Sequence, residues 1–461
     1  MHQQRVAATW RMTMAKTRSW LKQPLAILAQ DAGAGIVIEG TRIAELVPTG
    51  KPPVIAVQEI VDCSRHVVLP GLINTHHHFY QTLTRAHPQA INKELFDWLK
   101  ALYPVWAKAV NPDSFRLATR LALTELLMSG CTTASDHQYL YPAGIEDAMD
   151  IQAQEAAALG MRITLTRGSM DLSQKDGGLP PDSVVQDIDT IMKDCERVTG
   201  RYHDTKPGAM HQVALAPCSP FSVSTRLMKQ SAELAGKCNC RLHTHLGETI
   251  DEENYCLEKF ACRPVDYLEE CGWLNERTWL AHGIHFDDSE IARLGKSGVG
   301  VCHCPTSNMV LASGRCRTIE LEKAGVPVGL GVDGSASNDN SNLMEGVRHA
   351  LMIGRLTYGA ASVTHLDALR WATQGSAKVL GRSDIGVIAP GMEADLSLYA
   401  LDELRFSGAG DPLAALVLCG AHHADRVMIA GKWRLFDGVP PGVDLVALRA
   451  AHGKAALAAL A

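Results

Sequence analysis

Three consecutive histidines, His76, His77 and His78, follow the run Pro70-Gly-Leu-Ile-Asn-Thr. If they end a β-strand, alternation puts His76 and His78 on one face and His77 on the other. Two imidazoles on one face can share a metal ion, although the pair alone is equally compatible with a polar strand terminus. Further along, Arg241-Leu-His-Thr-His-Leu-Gly-Glu supplies His243, His245 and Glu248. Leu280-Ala-His-Gly supplies His282, Val301-Cys-His-Cys-Pro supplies His303, and Gly331-Val-Asp-Gly supplies Asp333. Histidines together with an aspartate form a donor set typical of zinc or iron(II), and such a cation makes water a usable nucleophile near neutral pH. Glu248, just past a histidine-bearing strand, can shuttle protons to a substrate. His282 can orient the water or stabilise a developing oxyanion.

Each residue also has a plainer reading. His77 and His243 read as hydrogen-bonding scaffold, and His303 as either a substrate contact or a structural residue. Val-Asp-Gly is commonly a turn, and Glu125 and Glu258 read as carboxylates on solvated helix faces. The conjunction favours chemistry, because unrelated turn residues would rarely fall at successive strand ends.

Those strand ends come from a regular alternation after Pro70. Apolar stretches of strand length, 72–76, 132–136, 161–166, 212–216, 241–245, 278–281, 299–303 and 328–332, alternate with amphipathic helical stretches such as 114–128, 144–159, 183–198, 225–237 and 289–296. In the first of these, Phe115, Leu117, Ala118, Leu121, Ala122 and Leu126 form one broad stripe. Eight β–α units predict a (β/α)8 barrel, whose chemistry lies at the C-terminal strand ends. Residues 35–39 and 42–47 read as a hairpin, 66–69 as a further strand, 366–380 as a helix and 395–401 as a strand. A second hairpin spans 426–429 and 432–436, and 442–461 reads as a terminal helix. Both ends of the chain therefore read as one small β-domain. The expected division is a disordered extension over 1–16, sandwich segments over 17–69 and 385–461, and the barrel over 70–384.

The composition bounds the rest. The chain has 461 residues, 46% hydrophobic and 20% charged, with a net charge of -6. That balance suits a globular protein with a sizeable core and carries no basic footprint for nucleic acid or an anionic membrane. No apolar run approaches the roughly 18 residues that span a bilayer. Thirteen cysteines, without a Cys-x-x-Cys pair, read as reduced thiols in a cytoplasmic protein.

Taken together, Pro70-Gly-Leu-Ile-Asn-Thr-His-His-His78, His245-Leu-Gly-Glu248, Ala281-His282-Gly, Val332-Asp333-Gly and the closing Ile385-Gly-Val-Ile-Ala-Pro-Gly-Met-Glu-Ala-Asp resemble the amidohydrolase superfamily, in its mononuclear aminohydrolase branch. The resemblance implies a TIM barrel with a β-sandwich built from both termini. It implies His76, His78, His245 and Asp333 as ligands of one divalent metal, zinc or iron(II), and Glu248, His282 and Asp333 as catalytic residues. No lysine stands on 161–170 or 212–216, where binuclear relatives carry a carboxylated one. Finer stretches, His78-Phe-Tyr-Gln-Thr-Leu-Thr-Arg85, Leu165-Thr-Arg-Gly-Ser-Met170, Ala214-Leu-Ala-Pro-Cys-Ser-Pro220 and His303-Cys-Pro-Thr-Ser-Asn308, look like bacterial 8-oxoguanine deaminases. Gln81 falls where guanine deaminases place a purine-contacting glutamine, while their strand-four arginine is replaced by Ala214-Leu215-Ala216. The implied reaction is hydrolytic deamination of 8-oxoguanine, with guanine, isocytosine and hydroxytriazines as alternatives. Gln81 and Glu248 would contact the substrate, and relatives of this kind commonly form homo-oligomers.

Overall fold

The computed structural model describes residues 17–460, so the extension expected over 1–16 lies outside the described residues. Eight strands, Leu72–Asn74, Cys131–Ser135, Arg162–Ser169, His211–Pro217, Arg241–Leu246, Thr278–His282, Gly300–His303 and Val328–Leu330, pair in chain order. Every pairing is parallel, and helices fill the crossovers, as a (β/α)8 barrel requires. The seam between first and last strands is closed by Thr75 N–H to the Leu330 carbonyl at 3.0 Å and Asp333 N–H to the His76 carbonyl at 3.1 Å. The Asn74 side chain accepts from Val332 N–H at 2.9 Å.

That closure explains one difference from the expected elements. The first and last strands stop at Asn74 and Leu330 rather than running to His76 and Val332. The histidines therefore stand beyond the strand, where side-chain and carbonyl partners across the seam fix them instead of pleat alternation.

The helices follow their caps. Helix Pro112–Met128 starts where Asn111 accepts from the Asp113 and Ser114 amides, with proline in the first turn. Phe115, Ala118, Ala122 and Leu126 are buried, while Leu117 and Leu121 are half-buried. The helix expected from Ser183 begins at Ile188, because Asp187 caps it through the Thr190 amide. The helix expected over 366–380 is interrupted by a wide turn at Trp371–Gly375. A side chain at Gly375 would meet the Val328 carbonyl at 2.2 Å, so the glycine lets this turn rest on the eighth barrel strand.

Both chain ends meet in two further sheets. One orders Arg42–Val47, Gly35–Glu39, Arg18–Lys22 and Glu59–Asp62; the other orders Lys432–Leu435, Arg426–Ile429, Leu396–Ala400, His66–Pro70 and Ala26–Ile27. Leu21, Ile36, Ile38 and Ile43 from the first pack with Val68, Leu396, Leu398 and Met428 from the second, a sandwich core. The terminal helix Leu445–Leu460 returns to the barrel, where His452 Nε2 meets Thr82 Oγ at 3.1 Å. No helix among the described residues is long and apolar enough to cross a membrane.

Candidate active site

The carboxyl ends of the barrel strands bring His76, His78, His245, His282, Glu248 and Asp333 into one buried cluster. The Nδ1 atoms of three imidazoles are already engaged. His78 Nδ1 donates to the His137 carbonyl at 2.9 Å and His245 Nδ1 to the Cys218 carbonyl at 2.7 Å. His76 Nδ1 donates to His243 Nε2 at 2.8 Å, and His243 Nδ1 in turn donates to the Trp279 carbonyl at 3.0 Å. Each of the three therefore turns an unprotonated Nε2 inward.

These bare nitrogens crowd together. His78 Nε2 lies 3.2 Å from His245 Nε2, and Asp333 Oδ1 lies 3.2 Å from both His76 Nε2 and His78 Nε2. Ligands roughly 2.0–2.1 Å from one zinc ion stand about 3.0–3.4 Å apart, so these spacings fit a shared cation. Without one, converging lone pairs and a carboxylate would repel each other in a buried site. Burial lowers the pKa of His76 and His245. Burial alone would raise that of Asp333, but the neighbouring imidazoles hold it well below the usual carboxylate range.

Two of these residues have left-handed backbones, with φ of 73° at His282 and 65° at Asp333. Such conformations cost non-glycine residues of order 1–3 kcal/mol and cluster at functional sites. Here they follow from the chain turning out of strands six and eight towards the barrel mouth. His282 Nδ1 donates to Asn308 Oδ1 at 2.9 Å, leaving Nε2 facing Glu248 Oε2 at 3.5 Å. Burial, reinforced by the Asp333 and Glu252 carboxylates, raises the Glu248 pKa well above its ordinary value. A protonated Glu248 beside a bare His282 nitrogen is an electrostatically consistent pair.

A cavity opens above the cluster, lined by His78, His245, Glu248, His282 and Asp333. Gln81 is in its wall, buried, with Oε1 accepting from the Ala336 amide at 3.4 Å and Nε2 without a partner among the described residues. Part of the wall is apolar: Leu95, Trp98, Leu99 and Tyr103 come from helix Leu95–Ala109. The Trp98 indole donates to the Ala336 carbonyl at 3.1 Å, tying that helix to the loop after Asp333.

The remaining sequence candidates fall outside this cavity. His77 turns away to Ser341 Oγ at 2.9 Å, and His243 supports His76 from beneath. His303 lines a separate small cavity with Arg315, Cys316 and Tyr358 rather than the one above the cluster. Glu125 is not simply solvated, because Arg85 pairs with it. Sequence reasoning missed His137, which lies within 4.8 Å of the ligand atoms of His76, His78 and His245 and donates through Nε2 to the Ala216 carbonyl at 2.9 Å. Its signal was present: Ser135-Asp-His follows the second barrel strand, the same position that identified the others.

Comparison with known proteins agrees with this geometry. The sequence model of the amidohydrolase family matches residues 67–434. An 8-oxoguanine deaminase from Pseudomonas aeruginosa is 59% identical over 448 residues, covering 96% of this chain and all of the relative. A hydroxydechloroatrazine ethylaminohydrolase from Pseudomonas sp. (strain ADP) is 39% identical, covering 86% of this chain and 83% of the relative. Among solved structures, an atrazine chlorohydrolase from Arthrobacter aurescens TC1 complexed with zinc superposes with a TM-score of 0.89 at 28% identity, over 95% of this chain and 100% of that one. With the barrel, the buried histidine–aspartate cluster and the matched span in agreement, this chain belongs to the amidohydrolase family.

Proposed function

We propose that this enzyme deaminates 8-oxoguanine by hydrolysis, giving urate and ammonia. The observation that carries the substrate is the 59% identity to the P. aeruginosa 8-oxoguanine deaminase over that relative's full length. Guanine and isocytosine present the same 2-amino-4-oxo edge and are the nearest alternatives. A hydroxytriazine aminohydrolase is a further reading, favoured by the 39% identity to the hydroxydechloroatrazine enzyme.

His76, His78, His245 and Asp333 would hold one divalent cation, and three nitrogen donors with one carboxylate suit zinc, with iron(II) also accommodated. Such a cation would lower the pKa of water towards neutrality. The chain's own groups account for the proton movements. Gln81 would offer its free Nε2 as a donor to a ring carbonyl. Glu248, whose pKa burial raises well above its ordinary value, would donate to the ring nitrogen beside the amino-bearing carbon, making that carbon electrophilic. Asp333 would take a proton from the attacking water, and His282 would orient the oxygen through its bare Nε2. Asp333 would pass that proton to the amino nitrogen and Glu248 would recover one from the new hydroxyl, so that the C–N bond breaks with loss of ammonia and a carbonyl remains. A cytoplasmic setting suits the thirteen cysteines, all free.

The test is ammonia release from 8-oxoguanine, guanine, isocytosine and a hydroxytriazine, with metal content measured on the same preparation. The expected result is the highest kcat/KM on 8-oxoguanine. No ammonia from any oxopurine would overturn the substrate reading.

A further inference from the structure

Glu252 stands at the third position of helix Ile250–Phe260, where Thr249 is the cap and accepts from the Glu252 amide at 3.4 Å. A glutamate at this position ordinarily reaches back to the amide of the cap residue itself. Glu252 instead reaches past it. Its Oε1 accepts from Gly247 N–H at 2.9 Å and its Oε2 from Glu248 N–H at 3.1 Å. The side chain is fully buried, and both oxygens are occupied by main-chain amides rather than by a basic side chain. Helix capping does not require this. Asp251 and Glu253 already place acidic groups in the same first turn, where they complement the helix dipole from more exposed positions. A buried carboxylate is costly to desolvate and must be matched by hydrogen bonds.

The same peptide is gripped from its other end. The Gly247 carbonyl accepts from Ile284 N–H at 2.7 Å and His285 N–H at 2.9 Å, both in the loop that follows His282. Gly247 has φ of 67°, and a Cβ there would meet the Phe286 ring at 2.5 Å. The segment entering Glu248 is thus fixed to the helix after strand five and to the loop after strand six. The Glu248 carboxyl leaves that clamp 3.5 Å from His282 Nε2.

We propose that Glu252 is a positioning residue for the reaction: it sets the backbone from which Glu248 presents its carboxyl to the substrate. This inference rests on the proton-transfer role given to Glu248 above. A displacement of about 1 Å in such a group can lower turnover on the order of 100-fold.

The test is Glu252→Gln in the full-length, metal-loaded enzyme. Its amide keeps one acceptor but turns an N–H towards the second main-chain N–H. The expected result is kcat lowered about 10- to 100-fold, KM within about three-fold of wild type and unchanged metal content. Hydrogen exchange over residues 246–249 should also accelerate. Thr249→Ala, which removes only the cap, should lower the melting temperature and leave kcat intact below it. Equal kcat losses in the two variants would overturn the proposal, as would a Glu252→Gln enzyme with wild-type kcat. If Glu252→Gln does not fold, Glu252→Asp, too short to reach both amides, is read by the same criteria. If wild type deaminates nothing in the panel, the functional reading fails by itself. Hydrogen exchange then still decides the clamp, and unaltered exchange in the variant would refute it.

Discussion

The main-chain N–H of Asp333 donates to the carbonyl of His76 at 3.1 Å, while its carboxylate Oδ1 stands 3.2 Å from Nε2 of the same histidine. One residue pair therefore helps close the barrel seam and supplies two of the candidate metal ligands. A cation bound there would join the first barrel strand to the last, and binding to the folded state alone stabilises it. Chelation should lower the melting temperature of the purified enzyme by several degrees. Asp333→Ala should be less stable at the outset and insensitive to chelator. Identical melting of chelated and metal-loaded wild type would exclude a tightly held cation.

His243 supports His76 without itself facing the cavity. Its Nε2 accepts the His76 Nδ1 proton at 2.8 Å, and its ring stacks on Trp279 at 4.3 Å between centroids. Loss of such an outer partner typically weakens metal affinity about 10–100-fold. His243→Phe keeps the stacking and removes the acceptor. Competition with a chromogenic chelator should show weaker binding of that order, with kcat largely restored at saturating metal.

Glu248 contributes no lone pair to the converging set around Asp333, so Glu248→Gln should retain metal. The amide cannot deliver the proton that the ring nitrogen needs. General acid–base groups typically contribute about 10²–10⁴-fold, and turnover should fall by that much or more. Metal analysis and ammonia release on one sample test both halves. Lost metal would make Glu248 a ligand, and near-normal turnover would remove it from the proton transfer.

Gln81 has a buried Nε2 in the cavity wall with no partner among the described residues. An unsatisfied buried donor costs about 1–3 kcal/mol, which a substrate carbonyl would recover on binding. Gln81→Leu keeps the bulk and removes the donor, so KM for 8-oxoguanine should rise about ten-fold or more. A KM unchanged within two-fold would mean that the substrate does not use this amide.

Much of this site was legible because its chemistry obeys a positional rule: polar residues at the ends of apolar strands. His245, His282 and Asp333 are conspicuous for that reason, and the eight strands emerge as apolar runs of strand length that alternate with helical stretches. Three kinds of feature escaped. Strands Arg18–Lys22 and Glu59–Asp62 are half-exposed and short, so neither alternation nor length marks them. Helix Leu95–Ala109 has an internal proline at Pro104, which breaks the sequence signature of the element that walls the cavity. The clamp on Gly247 and Glu248 depends on Ile284 and His285, more than thirty residues away, and no local pattern announces such a partner. His303 shows the limit of that rule. It satisfies the strand-end rule, yet the chain after Gly300–His303 turns its ring away from the cavity.

Asp384 links the barrel to the segment entering the sandwich. Arg382 Nε and Nη2 donate to its two oxygens at 2.8 Å each, and Gly208 N–H donates to Oδ2 at 2.7 Å. Burial would raise its pKa, but the guanidinium and the amide outweigh that and hold it down at about 2, against an ordinary 3.8. A carboxylate depressed in the folded state stabilises the fold fully above its unfolded pKa and loses that contribution as pH falls through the folded one. The window therefore runs from about pH 4 to about pH 2, with a size of roughly 2 kcal/mol. Asp384→Asn removes the charge at every pH. Urea unfolding should show wild type more stable than the variant between pH 5 and 7, with the gap narrowing below pH 4 and largely closed near pH 2. A gap that stays constant through that window would show that the carboxylate is not what stabilises this joint.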